Sequence, residues 1–122
     1  MAYDDSNIFA RILRGEVPCK RILENEHALA FQDINPLAPA HALVIPKGAY
    51  VSMVDFGAKA SSEEIAGFFR AVAETARQLG VDESGYRLLA NSGPDAHQEV
   101  PHFHVHLVGG APLGPMLRKV TP

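Results

Sequence analysis

Four of the six histidines in this 122-residue chain lie between His97 and His106, and three alternate in His102-Phe103-His104-Val105-His106. In an extended segment successive side chains point to opposite faces, so His102, His104 and His106 are expected on one face of a strand over 100–108. Phe103, Val105 and Leu107 then take the other face, which suits a core. Imidazole titrates near neutral pH and can act as nucleophile, donor or metal ligand. Three readings fit the spacing: a solvent-facing strand that happens to carry histidines, a zinc or iron site of neutral imidazoles, and a histidine nucleophile for phosphoryl or nucleotidyl transfer. Three imidazoles on one face within five residues argue against the first. Spacing alone does not separate the other two.

The preceding segment shifts the balance. Asn91-Ser92-Gly93-Pro94-Asp95 has strong turn chemistry and is expected to aim backbone N–H groups at an anion, with the Asn91 amide as a further donor. A phosphate ester needs donors on its non-bridging oxygens and a nucleophile in line with the leaving group. A metal site needs no such loop.

Bulk properties bound the ligand and the setting. The net charge of -3 offers no basic footprint for a nucleic-acid polymer, although a mononucleotide needs only a few local donors. Cys19 is the sole cysteine, so neither an internal disulfide nor a multi-thiolate zinc cluster is expected. Met1-Ala2-Tyr3-Asp4-Asp5 lacks the basic-then-apolar order of a signal peptide. Apolar runs such as Ala42-Leu43-Val44-Ile45 are too short to span a bilayer. The reading is a cytoplasmic protein with no membrane partner.

The elements that must position these residues read as one domain over 1–122, with a core at about 7–110 and an irregular tail at 111–122. Asn7 is expected to cap a short helix carrying Ile8, Phe9, Ile12 and Leu13, ended by Gly15. Short strands are expected at 20–24 and 28–33, joined by a turn at Asn25-Glu26. The apolar run at 41–45 reads as a strand in the middle of a sheet, halted by Pro46 and Gly48. Ser61 and Glu64 have capping-box spacing before a helix over 62–79, whose stripe of Ile65, Phe68, Phe69, Val72, Ala76 and Leu79 is expected to face the core. A fourth strand is expected at 86–91 and the histidine strand is the fifth. The class is α+β: a five-stranded antiparallel sheet with one long and one short helix.

His102-Phe103-His104-Val105-His106-Leu107-Val108 has the pattern His-φ-His-φ-His-φ-φ, with φ apolar. It is accompanied, in order, by Asn7-Ile8-Phe9, Gly15-Glu16-Val17-Pro18, Ala30-Phe31-Gln32-Asp33-Ile34, Pro39-Ala40-His41-Ala42-Leu43-Val44-Ile45-Pro46-Lys47, Gly85-Tyr86-Arg87 and Asn91. On these segments the chain resembles the histidine triad (HIT) family, in its Hint branch of histidine triad nucleotide-binding proteins. The resemblance implies a homodimer whose sheets join edge to edge. It also implies hydrolysis of purine nucleoside phosphoramidates, AMP- or GMP-like substrates, with no cofactor and no metal. In that reading His104 attacks the α-phosphorus to form a nucleotidyl-histidine. His102 and His106 flank it, His106 donates to phosphate or leaving group, and His41 completes the imidazole network. The implied nucleotide site is Ile8, Phe9, Ile12, Phe31, Asp33, Ile34, Leu43, Asn91, Glu99 and Val100, with His104 and His106. Asp33 would accept from the ribose hydroxyls. Alternatives are a dinucleoside polyphosphate hydrolase of the same family and a nucleotide-binding regulatory protein with little turnover.

Without the resemblance, Asp33 reads as a turn carboxylate, Phe9 and Phe31 as core, and His27 as a surface residue. The chain also departs from the branch. Glu99 stands where a Ser or Thr hydroxyl is common, and His97 where a glycine is usual. The tail has no tryptophan. Asn7-Ile8-Phe9-Ala10 stands in place of the Cys-x-x-Cys with which some relatives hold zinc.

Overall fold

In the computed structural model, which describes residues 2–122, the chain first turns helical at Asn7. The Asn7 side-chain oxygen accepts the Ala10 N–H at 2.9 Å and starts helix α1, Ile8–Leu13. Strands β1, Arg21–Glu24, and β2, Ala28–Gln32, form a hairpin. At its turn the Asn25 carboxamide oxygen accepts the N–H groups of His27 and Ala28, while its NH2 donates to the Gly67 carbonyl. That last bond ties the hairpin to helix α3, Ser62–Gln78. A Cβ on Gly67 would come within 2.8 Å of the His27 ring, so His27 is half-buried against the helix rather than a free surface residue.

Strand β3, Ala40–Pro46, lies at the centre of the sheet, whose order is β1-β2-β3-β5-β4 with β4 Tyr86–Leu89 and β5 Val105–Gly109. Every pairing is antiparallel, and β5 lies between β3 and β4. The fold is therefore the expected five-stranded α+β architecture, and the long apolar run does occupy the middle of the sheet.

The helices differ from expectation in number. Helix α2, Met53–Lys59, was not foreseen. It is short, contains Gly57 and buries only Phe56, so it carries no periodic signal. Tertiary contacts hold it instead. Phe56 sits against Tyr50, Phe68 and Phe103, and Asp55 accepts the Val51 N–H at 2.8 Å.

The sheet is covered on both faces. One face packs under α3, where Ala28, Ala30, Ala42, Val44, Phe103, Val105 and Leu107 meet Phe56, Phe68, Val72 and Ala76. The capping box at Ser61 and Glu64 forms in both directions, satisfying two orphan N–H groups at the start of α3. Phe69 departs from the expected stripe: it is 42% exposed, turned to the edge of the buried arc. The other face holds a smaller cluster in which Phe9 of α1 meets Leu29, Phe31, Leu43 and Ile45.

The fifth strand begins at Val105, not at residue 100. Gln98 explains the difference. Its side-chain oxygen accepts the Gly93 N–H, and its NH2 donates to the carbonyls of Val51 and Val100. The Phe103 N–H donates to the Tyr50 carbonyl at 2.7 Å. Backbone and clamp thus bind residues 98–103 to the 50–51 loop rather than to a ladder. Only His106 of the three alternating histidines lies in regular strand. The tail after Gly109 has no helix or strand, and the Arg87 guanidinium donates to the Gly114 carbonyl. Among the described residues no helix is long and apolar enough to cross a membrane.

Candidate active site

Alternation survives where the ladder does not. Cross-strand partners share a face, and His106 lies opposite Leu43 while Val105 lies opposite Val44. Leu43 belongs to the α1 cluster and Val44 to the α3 cluster, which puts His106 on the α1 side. His104 and His102 join it there, both meeting the Phe9 ring edge-on, and the rings of His104 and His106 are 5.1 Å apart. Helix α1 thus supplies the aromatic wall on which the irregular part of the motif rests.

The hydrogen bonds assign the protons. A carbonyl can only accept, so His104, whose Nδ1 is 2.7 Å from the His102 carbonyl oxygen, carries its proton on Nδ1. Its Nε2 has no partner among the described residues. No buried side-chain nitrogen or oxygen among those residues lacks one, so this lone pair opens to the cleft. His102 Nε2 donates to the Pro46 carbonyl at 2.8 Å, and its Nδ1 accepts from the Tyr3 hydroxyl at 2.6 Å. Both nitrogens of His102 are committed. A metal held jointly by the three alternating imidazoles, one reading the spacing allowed, is therefore incompatible with this arrangement.

His41 stands at the start of β3. Its Nδ1 accepts the Leu37 N–H at 3.0 Å, which leaves the ring proton on Nε2. That proton meets His106 Nδ1 at 3.0 Å, with the Asp33 carboxylate 3.4 Å away. His106 is then left with Nε2–H as its free donor. Asp33, His41 and His106 are close enough to enclose an ion. The two imidazole nitrogens, however, face one another across a hydrogen bond rather than converging on a third point.

Burial sets the charge state. It pushes His102 down to about 4, against the opposing effect of the Pro46 carbonyl and with added repulsion from His104. His106 is also pushed down to about 4, by burial first and then by the neighbouring rings of His104 and His41. His104 is lowered by burial too, with the His102 carbonyl opposing. At neutral pH the motif is a set of uncharged imidazoles with defined tautomers.

The rings of His104 and His106 line a cleft of about 420 Å³ whose other walls are Phe9, Asp33, Asn35, Leu37, His41, Asn91, Ala96, His97, Glu99 and Val100. Of the expected nucleotide site, Phe9, Asp33, Asn91, Glu99, Val100, His104 and His106 meet here, joined by His41. Phe31 and Leu43 lie behind Phe9 in the core, and Ile12 packs against that cluster. Ile8 is on the outer surface of α1, and Ile34 is 88% exposed, away from the cleft wall. His102 is held behind the lining.

Sequence reasoning did not find Asn35, whose N–H donates to Asp33 at 2.8 Å in a local turn. Nor did it find Tyr3, which sits 99 positions from His102 and has no motif signal. The anion loop also differs from expectation. The N–H groups of Gly93, His97 and Gln98 are consumed inside it, by the Gln98 side chain, the Pro94 carbonyl and the Gly93 carbonyl. His97 adopts φ 57°, the one positive φ at a non-glycine residue among those described, a conformation that glycine adopts without a Cβ penalty. His97 and Glu99 pair at 3.0 Å on the cleft rim.

Comparison with known proteins accords with this architecture. The HIT domain family matches residues 14–113. A 13.2 kDa HIT-like protein of Azospirillum brasilense is 66% identical over 117 residues, 96% of each chain. The purine nucleoside phosphoramidase of Escherichia coli K12 is 39% identical over 113 residues, 93% of this chain and 94% of that one. A HIT family hydrolase from Clostridium thermocellum superimposes with a TM-score of 0.86 at 35% identity, covering 94% of this chain and 99% of its own. The chain belongs to the HIT family.

Proposed function

We propose that this HIT-family protein is a hydrolase of the Hint branch, acting on purine nucleoside phosphoramidates through a covalent nucleotidyl-histidine. The observation that carries the reading is the fixed tautomer of His104. With Nδ1–H bound to the His102 carbonyl, Nε2 presents an unshared pair to the cleft at neutral pH. Nε2 attacks the α-phosphorus, the bond from phosphorus to the leaving amine breaks, and the amine takes a proton from solvent at the open cleft. The His102 carbonyl stabilises the cationic ring of the intermediate. Water then attacks phosphorus, gives up a proton, and releases the nucleoside monophosphate and neutral His104.

His106, neutral and fed by His41, acts as a hydrogen-bond donor to the phosphoryl or leaving group. It is not a general acid, since giving up its only proton would leave an imidazolate. Asn91 holds a phosphoryl oxygen, Asp33 accepts from the ribose, and Phe9 with Val100 flanks the base.

Charge favours this substrate over a dinucleoside polyphosphate. The cleft lining includes the carboxylates of Asp33 and Glu99 and no lysine or arginine. A polyphosphate leaving group would bring further negative charge beside those carboxylates. We also propose that two copies pair through β4. It lies at the sheet edge and exposes Tyr86, Leu88 and Leu89, with Phe69 exposed on α3, whereas the opposite edge strand carries the Arg21–Glu24 ion pair.

The test is to quench the protein during turnover of a labelled adenosine phosphoramidate and map the labelled residue by mass spectrometry. Label on His104 is expected. Tight AMP binding with no labelled protein would replace this reading with a binding role, and faster turnover of diadenosine polyphosphate would replace the substrate.

A further inference from the structure

The nucleophile is oriented by a backbone carbonyl, which raises the question of what fixes that carbonyl outside any β-ladder. The peptide joining His102 to Phe103 is held at both ends. Its carbonyl accepts from His104 Nδ1, and its N–H donates to the Tyr50 carbonyl at 2.7 Å. The His102 ring, 1% exposed, anchors the same residue from the side through Pro46 and Tyr3. The Pro46 bond alone leaves the ring free to turn about the line to that carbonyl. The Tyr3 hydroxyl on the opposite nitrogen removes the freedom, and its ring packs edge-on against the imidazole at 5.5 Å.

We propose that Tyr3 is a positioning residue for the nucleophile: its hydroxyl locks the orientation of the His102 ring, and through the His102 carbonyl sets the direction of His104 Nε2. The Pro46 carbonyl can only accept, so the His102 proton stays on Nε2 and Nδ1 is left to accept from the Tyr3 hydroxyl. Phe9 meets the rings of both His102 and His104, so a turn of the first would press on the second through a shared wall. Tyr3 does not line the cleft and is not expected to contribute to nucleotide affinity.

The kinetic arm rests on the phosphoramidase reading; a spectroscopic arm does not. Tyr3→Phe keeps the ring and removes only the hydroxyl. It is expected to lower kcat about tenfold, the scale of one lost buried hydrogen bond, with KM changed less than about twofold. In long-range 15N–1H spectra of the ligand-free protein, the variant is expected to keep the Nε2–H tautomer of His102, to shift its Nδ1 resonance downfield as the donor is lost, and to show faster solvent exchange of the His104 Nδ1 proton. Tyr3→Ala, which also removes the ring, is the packing control. Unchanged kcat and unchanged histidine spectra in Tyr3→Phe would overturn the proposal, as would a deficit seen only in Tyr3→Ala. Were the native protein inert toward phosphoramidates, the substrate reading would fail while the spectra still decided the role of Tyr3.

Discussion

The two faces of the sheet are built from the same strands yet finished differently. Under α3 the 17-residue helix lays Phe68, Ala71, Val72 and Ala76 over the strands, and Phe56 and Phe103 stack into the same cluster. That face is closed by apolar side chains. The opposite face has only the six-residue α1, whose Phe9 covers Leu29, Phe31, Leu43 and Ile45 and stops beside the histidines. What α1 fails to cover becomes the cleft. Stability is concentrated where the covering helix is long, and the proposed chemistry where it is short. The paired ring nitrogens of His102 and His104 are satisfied by carbonyls and a hydroxyl rather than by charges.

The sharpest way to test this division is to remove one ring from each face. His104→Ala should lower turnover on the order of a thousandfold or more, while AMP binding measured by calorimetry stays within a few-fold, because the nucleophile serves chemistry more than affinity. Near-normal turnover would end its assignment. Phe68→Ala on the other face should cost about 3–5 kcal/mol in denaturant unfolding, as for other large-to-small core changes. Turnover per folded molecule should be preserved in that variant. If Phe68→Ala abolished turnover in fully folded protein, the two faces would not be separable.

Acid should act first on the histidine face. His102 is held at about 4 in the folded protein against 6.5 when free, so the unfolded chain binds more protons between those values. Its contribution to stability is fully present above about pH 6.5 and is lost as pH falls toward 4. A shift of that size corresponds to about 3 kcal/mol. The lowered carboxylates, among them Glu16, Glu24, Asp55 and Glu64, act at the acid end of that window and below it, from about pH 4.5 downward. Denaturant midpoints measured from pH 7 to pH 4 should therefore fall in the native protein and fall less in His102→Gln. Equal slopes would show that burial of this ring does not govern the window.

The same contrast decides what could be read from the chain. The α3 face was legible because its signals are local: the capping box at Ser61 and Glu64, helical periodicity, and the continuous apolar run that became β3. Even so, periodicity alone admitted Phe69 to the core stripe. The imidazole face was legible as an alternation, although its cause was misjudged: residues 98–103 follow the Gln98 clamp to the distant 50–51 loop, not a strand. Asp33, Asn91 and Val100 meet in the cleft because the chain returns to it from three loops, which no spacing encodes; the family resemblance brought them together. Tyr3 carried neither kind of signal. Helix α2 was hidden because a single buried phenylalanine gives no period.

The smallest expected effect concerns the rim, where the cleft meets water. Glu99 carries a carboxylate at a position where the family pattern favours a hydroxyl, and its partner His97 is itself 3.0 Å away and well exposed. A charge so exposed acts through solvent, so its influence on a phosphoryl group is weak and screened by salt. Glu99→Ser should change kcat for amine leaving groups only several-fold, about 1 kcal/mol or less in the barrier. AMP affinity should change less than kcat, because the proposed role of this position is toward the leaving group rather than the nucleoside. Raising ionic strength should shrink the difference between native protein and variant. Equal effects on affinity and rate, unaffected by salt, would instead place Glu99 among the groups that bind the nucleotide itself.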